Sequence, residues 1–560
     1  MENNNINIET NVSAPVTVAE IEKKSRFEYV VVNLVCLFVF LAFGYVAIMG
    51  FFQTSVIDPM AYDTEVILYK TDNLALNIFF TALFFGFLFL MRRFYDFFAK
   101  LNITALEIIL ALYVVLLGLL WVFSVTSIPA ADSLNIFETA SLAAKDNFSP
   151  LHDFTNFYNK DFYSGYSYFN FYPFQLGFVF ICEIIYRIFG TESSMPVQVI
   201  NVLATAAAYL GIAGITRLLF RRKSIEFMAV FLLALCFQPI LFCTFAYGNI
   251  IGMCLGVWAS FFLIKYFQTD NWKLLIPCGI LIVISVIVKF NNMIYVAAFI
   301  IMLIVYTIKM KKWQSIAFAL AIAVASTGSI PLIITSYEAR SGAKLAGGIS
   351  QVLYLDLGVQ DSPSAPGWFS LTAMNLYLKH GFDGDAADRE ARQDIGSRME
   401  VFGQNPSYMF DFYSKKILSQ WNEPTYESIW VSKVKAHEKE ITGGLGEMVY
   451  NKSLGQFLEL HFGLYMRVVF LMFAVGIYFL FINKKTNIRT VLLPLVLMGG
   501  FGYHLLFEAK SQYILTYIPL MIPTAAYALN LVLFGNYSGL KKVIDKINAI
   551  PSGAFKSKSK

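Results

Sequence analysis

PFQLGFVFICEIIYRIFG, residues 173–190, is apolar enough to enter a membrane, yet it carries Glu183 and Arg187. Whether it crosses decides the orientation of every helix that follows. That a membrane is at issue comes from composition. Of the 560 residues, 57% are hydrophobic and only 14% charged, with a mean hydropathy of +0.59, far too apolar for a soluble chain of this size. A helix needs about 20 predominantly apolar residues to span a bilayer. Such runs occur at 29–51, 74–91, 102–123, 197–220, 226–246, 248–267, 273–289, 291–309, 314–335, 464–483, 490–507 and 512–534. The expected fold class is an all-α polytopic membrane protein with about 12 transmembrane helices.

Lys and Arg near helix ends resist translocation, and this arbitrates the status of 173–190. If the segment does not cross, Lys23/Lys24/Arg26, Arg92/Arg93/Lys100, Arg221/Arg222/Lys223, Lys309/Lys311/Lys312, Lys484/Lys485/Arg489 and the Lys-rich tail all face the cytoplasm. If it crosses, every later cluster flips outside. The segment is therefore expected to lie on or dip into the outer leaflet of the cell membrane, with both termini cytoplasmic. The polar, Asn-rich stretch from Met1 to Ile21 has no signal-peptide pattern, so the first apolar run is expected to be a retained helix.

The organisation that follows is a cytoplasmic tail over 1–28, a membrane body over 29–335 with a long outer loop at 124–196, an extracytoplasmic domain over 336–463, C-terminal membrane helices over 464–535 and a basic cytoplasmic tail over 536–560. Between Tyr337 and Phe462 there are sixteen Asp/Glu against twelve Lys/Arg, so this segment lacks the basic bias of the cytoplasmic loops. The net charge of +5 is thus cytoplasmic lysine and gives no sign of a nucleic-acid partner. Membrane lipids are the expected surroundings. All six cysteines fall in apolar segments without metal-ligand spacing and read as small buried hydrophobes.

Ionisable groups held at membrane depth are costly unless partnered or used, which directs attention to the outer helix ends. In IPAADSLNIFETA, Asp132 follows Pro129 at the start of an amphipathic helix. It reads either as an N-cap or as a general base facing an incoming hydroxyl. From Phe154 to Phe174, eleven of 21 residues are Phe or Tyr, Tyr168 and Tyr172 among them, interleaved with Lys160, Asp161 and Asn170 just after Asp153. The pattern suits an aromatic belt or a groove on which sugar rings lie. Lys289 in VIVKFNNM and Lys510 in LLFEAKSQYILTYIPL are cations at outer ends, where a lipid-borne phosphate would need them and where snorkelling is the simpler reading. Glu508, Gln512 and Tyr513 surround Lys510 in a polar cluster.

Other signals fail. FDGDAADREARQD has Asp388 and Asp394 where a calcium loop needs Gly and Glu, and reads as a helix start. The five histidines form no zinc pattern. No phosphate-binding loop or dinucleotide fingerprint occurs.

In their order along the chain, four stretches resemble the GT-C superfamily of integral-membrane glycosyltransferases, which includes protein O-mannosyltransferases and bacterial aminoarabinose transferases. These are IPAADSLNIFETA, YPFQLGFVFICEIIYRIFG, VKFNNMIY and FEAKSQYILTYIPLMIP. The resemblance covers roughly residues 100 to 535. Three features depart from the family pattern: Ser133 rather than a second acid follows Asp132, Gln512 stands where many relatives have Arg, and two helices precede the loop where one is usual.

The resemblance implies transfer of a sugar from a polyprenyl-phosphate donor to an acceptor hydroxyl at the outer face. The acceptor would be an envelope polymer, glycolipid or protein. Asp132 would take the acceptor proton, and Lys510, with Lys289 or Arg340, would stabilise the leaving phosphate. Tyr168, Tyr172, Trp421, Tyr426, Glu508, Gln512 and Tyr513 would contact sugar or acceptor. No cofactor is called for, and a divalent cation is left open. A lipid-linked saccharide flippase is the alternative from another class, although a transporter collects its polar residues within the membrane body. A glycan polymerase or ligase would keep the chemistry and change the donor.

Overall fold

The computed structural model describes residues 25–58, 61, 65–94, 100–125, 127–152, 166–433, 444–483 and 486–535. Helix α1 (Arg26–Met49) leads into a two-stranded antiparallel hairpin, β1 (Gln53–Ile57) and β2 (Ile67–Thr71), then α2 (Leu74–Met91) and α3 (Ile103–Val125). After α4 (Asp132–Ala143) and α5 (Leu176–Phe189) come α6 (Met195–Phe220), α7 (Lys223–Ala234), α8 (Asn249–Thr269), α9 (Leu275–Val288), α10 (Met293–Met310) and α11 (Trp313–Ser341). Four helices follow outside the bundle, α12 (Gln351–Val359), α13 (Thr372–Lys379), α14 (Gly384–Gln404) and α15 (Pro406–Trp421). The chain returns through α16 (Ser453–Ile482), α17 (Ile488–Leu506) and α18 (Ile518–Phe534).

Local chemistry accounts for several helix starts. Ser25 Oγ accepts from the Glu28 amide at 3.0 Å and Asn73 Oδ1 from the Leu76 amide at 3.2 Å, each satisfying a donor that has no partner inside its helix. Asp383 caps α14 in the same way, through the Ala386 amide at 3.1 Å, so FDGD is a helix start as its sequence suggested.

The spans turn leucine and phenylalanine outward. Leu34, Leu41, Leu76, Phe79, Leu83, Leu112, Leu116 and Leu120 are exposed, while the polar Asn77 and Thr81 are buried against neighbouring helices. This inversion of the soluble pattern is what a hydrocarbon solvent demands. Among the described residues ten helices are long and apolar enough to cross, and an eleventh appears if Lys223–Ala234 and Gln238–Thr244, bent by 40°, count as one. Trp272–Val288 is a shorter apolar helix. All twelve runs seen in the sequence are therefore helical.

The bend follows from Pro239, which cannot donate to a continuing helix. The carbonyls it frees find side chains: Tyr113 Oη donates to Ala234 O at 3.3 Å, Tyr209 Oη to Cys236 O at 2.5 Å and Trp121 Nε1 to Leu241 O at 2.9 Å.

Helix α5 has 14 residues, about 21 Å at the usual rise, against a hydrocarbon core of about 30 Å. It packs along α4 and α11. Helices α11 and α16 run to Ser341 and from Ser453, past the limits of 335 and 464 drawn from hydropathy, because helical backbone continues after apolar composition ends.

At one end of the bundle the long connections are fastened together. The Ser55 amide donates to Asn422 O at 2.9 Å, the Ile67 amide to Ser364 O at 3.0 Å and the Ala509 amide to Gly367 O at 2.8 Å. The buried Lys416 ammonium donates to Phe507 O at 2.8 Å and also to Gly358 O. The hairpin, the segment after α11 and the α17–α18 turn are thus one assembly. The opposite end gathers Arg92, Arg93, Arg221, Arg222, Lys223, Lys309, Lys311, Lys312 and Arg489, and Lys309 pairs there with Glu28 at 3.2 Å.

Candidate active site

Asp132 is the first residue of α4, and its carboxylate does not cap that helix: the cap position is Ala131, which has no capping hydrogen bond. The N-cap reading of Asp132 is corrected accordingly. Ala131 takes φ 50° and ψ −130°, a backbone state costly for a residue with a Cβ. Ser133 fastens the turn by bonding both the carbonyl and the amide of Ala130, at 2.7 and 3.0 Å. The Asp132 side chain instead meets the hydroxyl of Tyr247, which also receives Gln175 Nε2.

Lys289 stands between the end of α9 and α10, in extended backbone. Its Nζ lies 3.9 Å from the centre of the Tyr247 ring and 5.5 Å from that of Tyr513. Two glycines let other elements close on this segment. A Cβ on Gly177 of α5 would strike the Ile287 carbonyl, and one on Gly248, just before α8, would strike that of Val288. Burial pushes Lys289 down to about 7, against the pull of Asp132 and Glu508 and with the repulsion of Lys510. It has no carboxylate at ion-pair distance among the described residues.

Glu508 receives the Tyr513 hydroxyl at 3.0 Å. Burial pushes this carboxyl up to about 7, opposed by Lys510, the Tyr513 hydrogen bond and Lys289, and reinforced by Asp132. Lys510 is placed differently. It pairs with Glu65 at 2.7 Å and with Glu427 at 3.8 Å; burial would lower it, but these two carboxylates, with Asp132, hold its proton above the ordinary lysine range.

Glu427 also accepts from Ser511 Oγ at 3.1 Å and from the Gln512 amide at 3.2 Å. It stands on a turn in which Tyr426 and Glu427 both have positive φ, 49° and 62°. Glu423 braces this turn through the Thr425 and Glu427 amides, each at 2.9 Å.

Asp132, Lys289, Glu508, Lys510 and Tyr513 are therefore brought together, as the sequence suggested. Gln512 joins them through its backbone, its carbonyl accepting from Asn249 Nδ2 at 3.2 Å. Tyr172 adjoins the group: its ring lies 6.3 Å from that of Phe174, which is 5.8 Å from Phe290, the residue after Lys289.

Other expectations need correction. Trp421 is 1% exposed, its ring centre 4.9 Å from that of Phe43 and 5.6 Å from that of Phe501. Tyr426 is 0% exposed and donates to Trp421 O at 3.1 Å. Both are core side chains holding the Glu427 turn, because burial of large apolar surface outweighs any use of their faces. Tyr168 is 1% exposed and packs on Phe169 and Tyr172. Arg340 is spent on Glu183, at 2.5 and 3.0 Å, and lies over Phe148, binding α11 to α5. Asp153, Lys160 and Asp161 lie outside the described residues.

Sequence reading missed Glu65, Tyr247 and Glu427. Each sits in a polar connection without a motif, and only the short apolar flanks of FAYGNI hint at Tyr247. Among the described residues no group of three or more His, Cys, Asp or Glu could hold a metal ion, so the divalent cation left open earlier has no ready donor set there.

Residues 175–334 match the family described as dolichyl-phosphate-mannose-protein mannosyltransferase, a segment that contains Gln175, Glu183, Tyr247 and Lys289. No curated protein matches the chain. Of solved structures, the oligosaccharyltransferase AglB from Archaeoglobus fulgidus, in complex with an inhibitory peptide and a dolichol-phosphate, aligns at 16% identity and a TM-score of 0.42, over 83% of this chain and 53% of its own. ArnT from Cupriavidus metallidurans bound to undecaprenyl phosphate aligns at 10% identity and a TM-score of 0.30, over 75% of this chain and 77% of its own. The chain spans about half the length of AglB. With the four motifs in their order, the matched segment places the chain in the GT-C superfamily of integral-membrane glycosyltransferases.

Proposed function

We propose that the chain moves a sugar from a polyprenyl-phosphate-linked donor to an acceptor hydroxyl at the outer face of the membrane, decorating an envelope polymer or a protein. The observation that carries this reading is Lys289: a half-buried ammonium without a carboxylate partner, between two tyrosine rings and within the field of Asp132. A phosphodiester headgroup supplies the missing negative charge. The family description over residues 175–334 names a lipid-phosphate sugar, which supports the donor class. The basic residues at the far end of the bundle support an outward-facing site.

In this reading Asp132 accepts the acceptor hydroxyl's proton as its oxygen attacks the anomeric carbon. The bond from that carbon to the phosphate oxygen breaks, and the lipid phosphate leaves with one more negative charge. Lys289 answers that charge, so its interaction strengthens as the bond breaks. The Tyr247 hydroxyl orients the Asp132 carboxylate. Lys510 is locked to Glu65 and Glu427 and positions the α17–α18 turn, with Glu508 and Tyr513, beside Lys289.

The test is to incubate purified protein with a polyprenyl-phosphate hexose and envelope material and to measure release of polyprenyl phosphate. Wild-type turnover, abolished in Asp132→Asn with donor binding kept, supports the assignment. Full turnover in that variant rejects Asp132 as the base, and movement of intact lipid-saccharide across vesicles without phosphate release would make the chain a flippase.

A further inference from the structure

At the basic end of the bundle, far along α2 from the hairpin, lies a cavity of about 190 Å³ between α2, α7 and α18. Phe87, Phe227, Phe231 and Leu533 wall it, and Arg92 and Lys223 stand at its rim. No carboxylate lines it. Helix α2 leaves this space because only Asn77, Thr81 and Leu88 of its 18 residues are buried.

Two features of the rim call for an anion. The Arg92 Nη1 atom is buried without a hydrogen-bond partner, although the guanidinium lies 5.7 Å from the Phe534 ring; a buried guanidinium N–H left unsatisfied is costly. The amides of Lys223 and Ser224 open α7, whose cap residue Arg222 makes no side-chain cap, so a phosphate there would also meet the positive end of a helix. An apolar cavity of this kind stays dry and takes an apolar guest.

We propose that this groove binds an anionic phospholipid, with the phosphate between Arg92 and Lys223 and one acyl chain between α2 and α7. The site is separate from the Asp132–Lys289 cluster and independent of the reaction assigned to it. It would seat the loosely packed α2 against the rest of the bundle.

The test is native mass spectrometry of the full-length protein titrated with phosphatidylglycerol or with phosphatidylcholine of the same chains. Wild type should retain phosphatidylglycerol preferentially. The Arg92→Gln/Lys223→Gln variant should weaken that binding by about tenfold, the loss of one charge-assisted contact, and leave phosphatidylcholine unchanged. Ser224→Glu, which adds a repelling carboxylate while keeping Arg92 in place, should weaken it similarly. A photoreactive acyl chain should label peptides containing residues 87–92 and 223–231. Equal retention of both lipids, unchanged binding in both variants, or labelling confined to other helices would overturn the proposal.

Discussion

The ammonium of Lys289 rests 3.9 Å from the centre of the Tyr247 ring, and the hydroxyl of that same ring meets Asp132. One side chain thus serves the cation through its face and the proposed base through its edge. The two functions can be separated. Tyr247→Phe keeps the face, and with it a cation–π contact, but loses the hydroxyl. Expected is a fall in kcat of about tenfold to a hundredfold with KM for the donor nearly unchanged. Tyr247→Leu removes both and should raise KM as well. Steady-state kinetics on the two variants decide; wild-type kcat in Tyr247→Phe would sink the orienting role.

A dependence on pH follows from the two groups that burial moves toward neutrality. Lys289, lowered to about 7, is charged below that pH and neutral above it. Glu508, raised to about 7, is neutral below and a carboxylate above. Both changes make the empty site more negative as pH rises. A phosphodiester donor keeps its single charge throughout, so its binding should weaken through pH 7 to 8. Lys289→Arg stays charged over this window and Glu508→Gln stays neutral, so combining them should flatten the profile. An unchanged slope in the double variant would show that neither group sets it.

Lys289 and Lys510 should separate when stability is measured beside activity. Lys510 is a buried cation with two carboxylates, and breaking such a pair costs roughly 3–5 kcal/mol because the partner is left uncompensated. Lys510→Met should therefore lower Tm together with activity. Lys289 has no such partner, so Lys289→Met removes an unpaired charge, and activity should be lost with Tm unchanged or raised. Thermal unfolding in detergent distinguishes the two, and equal losses of Tm would mean Lys289 has a structural partner.

The membrane architecture was legible because hydrocarbon leaves the backbone few options. All twelve apolar runs are helices, and the 14 residues of α5 agree with the non-crossing status inferred from basic clusters. Asp132, Lys289, Glu508, Lys510 and Tyr513 were legible for a related reason: a charge at a helix end inside an apolar sequence stands out. Glu65 and Glu427 did not, since a carboxylate in a polar connection has no local signature and its partner Lys510 is 445 positions away from one of them. Trp421 and Tyr426 misled because a sugar-stacking ring and a core ring share one composition, and only packing against Phe43 and Phe501 tells them apart.

That correction has its own consequence. Trp421→Ala should cost about 3–5 kcal/mol of stability, the usual penalty for deleting a buried aromatic. Whatever fraction remains folded should bind donor as wild type does. Trp421→Phe should recover much of the stability. A raised KM in Trp421→Phe without loss of Tm would return this residue to the sugar site.

The close approach of α8 to the Lys289 segment gives the sharpest steric test. Gly248 has φ −71°, so alanine is tolerated there by the backbone, and any effect comes from its Cβ meeting the Val288 carbonyl. The carbonyl belongs to the residue before Lys289 and must move for the Cβ to fit. Gly248→Ala should therefore displace the ammonium from the Tyr247 ring and raise the donor KM severalfold, a loss typical of small misplacements in a preorganised site. Gly177→Ala, which meets the Ile287 carbonyl from the opposite side, should act in the same direction. Gly44→Ala in α1 is the control, because nothing lies within 4 Å of its added Cβ and alanine is the better helix former by roughly 0.5–1 kcal/mol. If all three variants behave alike, the packing of α5 and α8 is not what holds Lys289 in position.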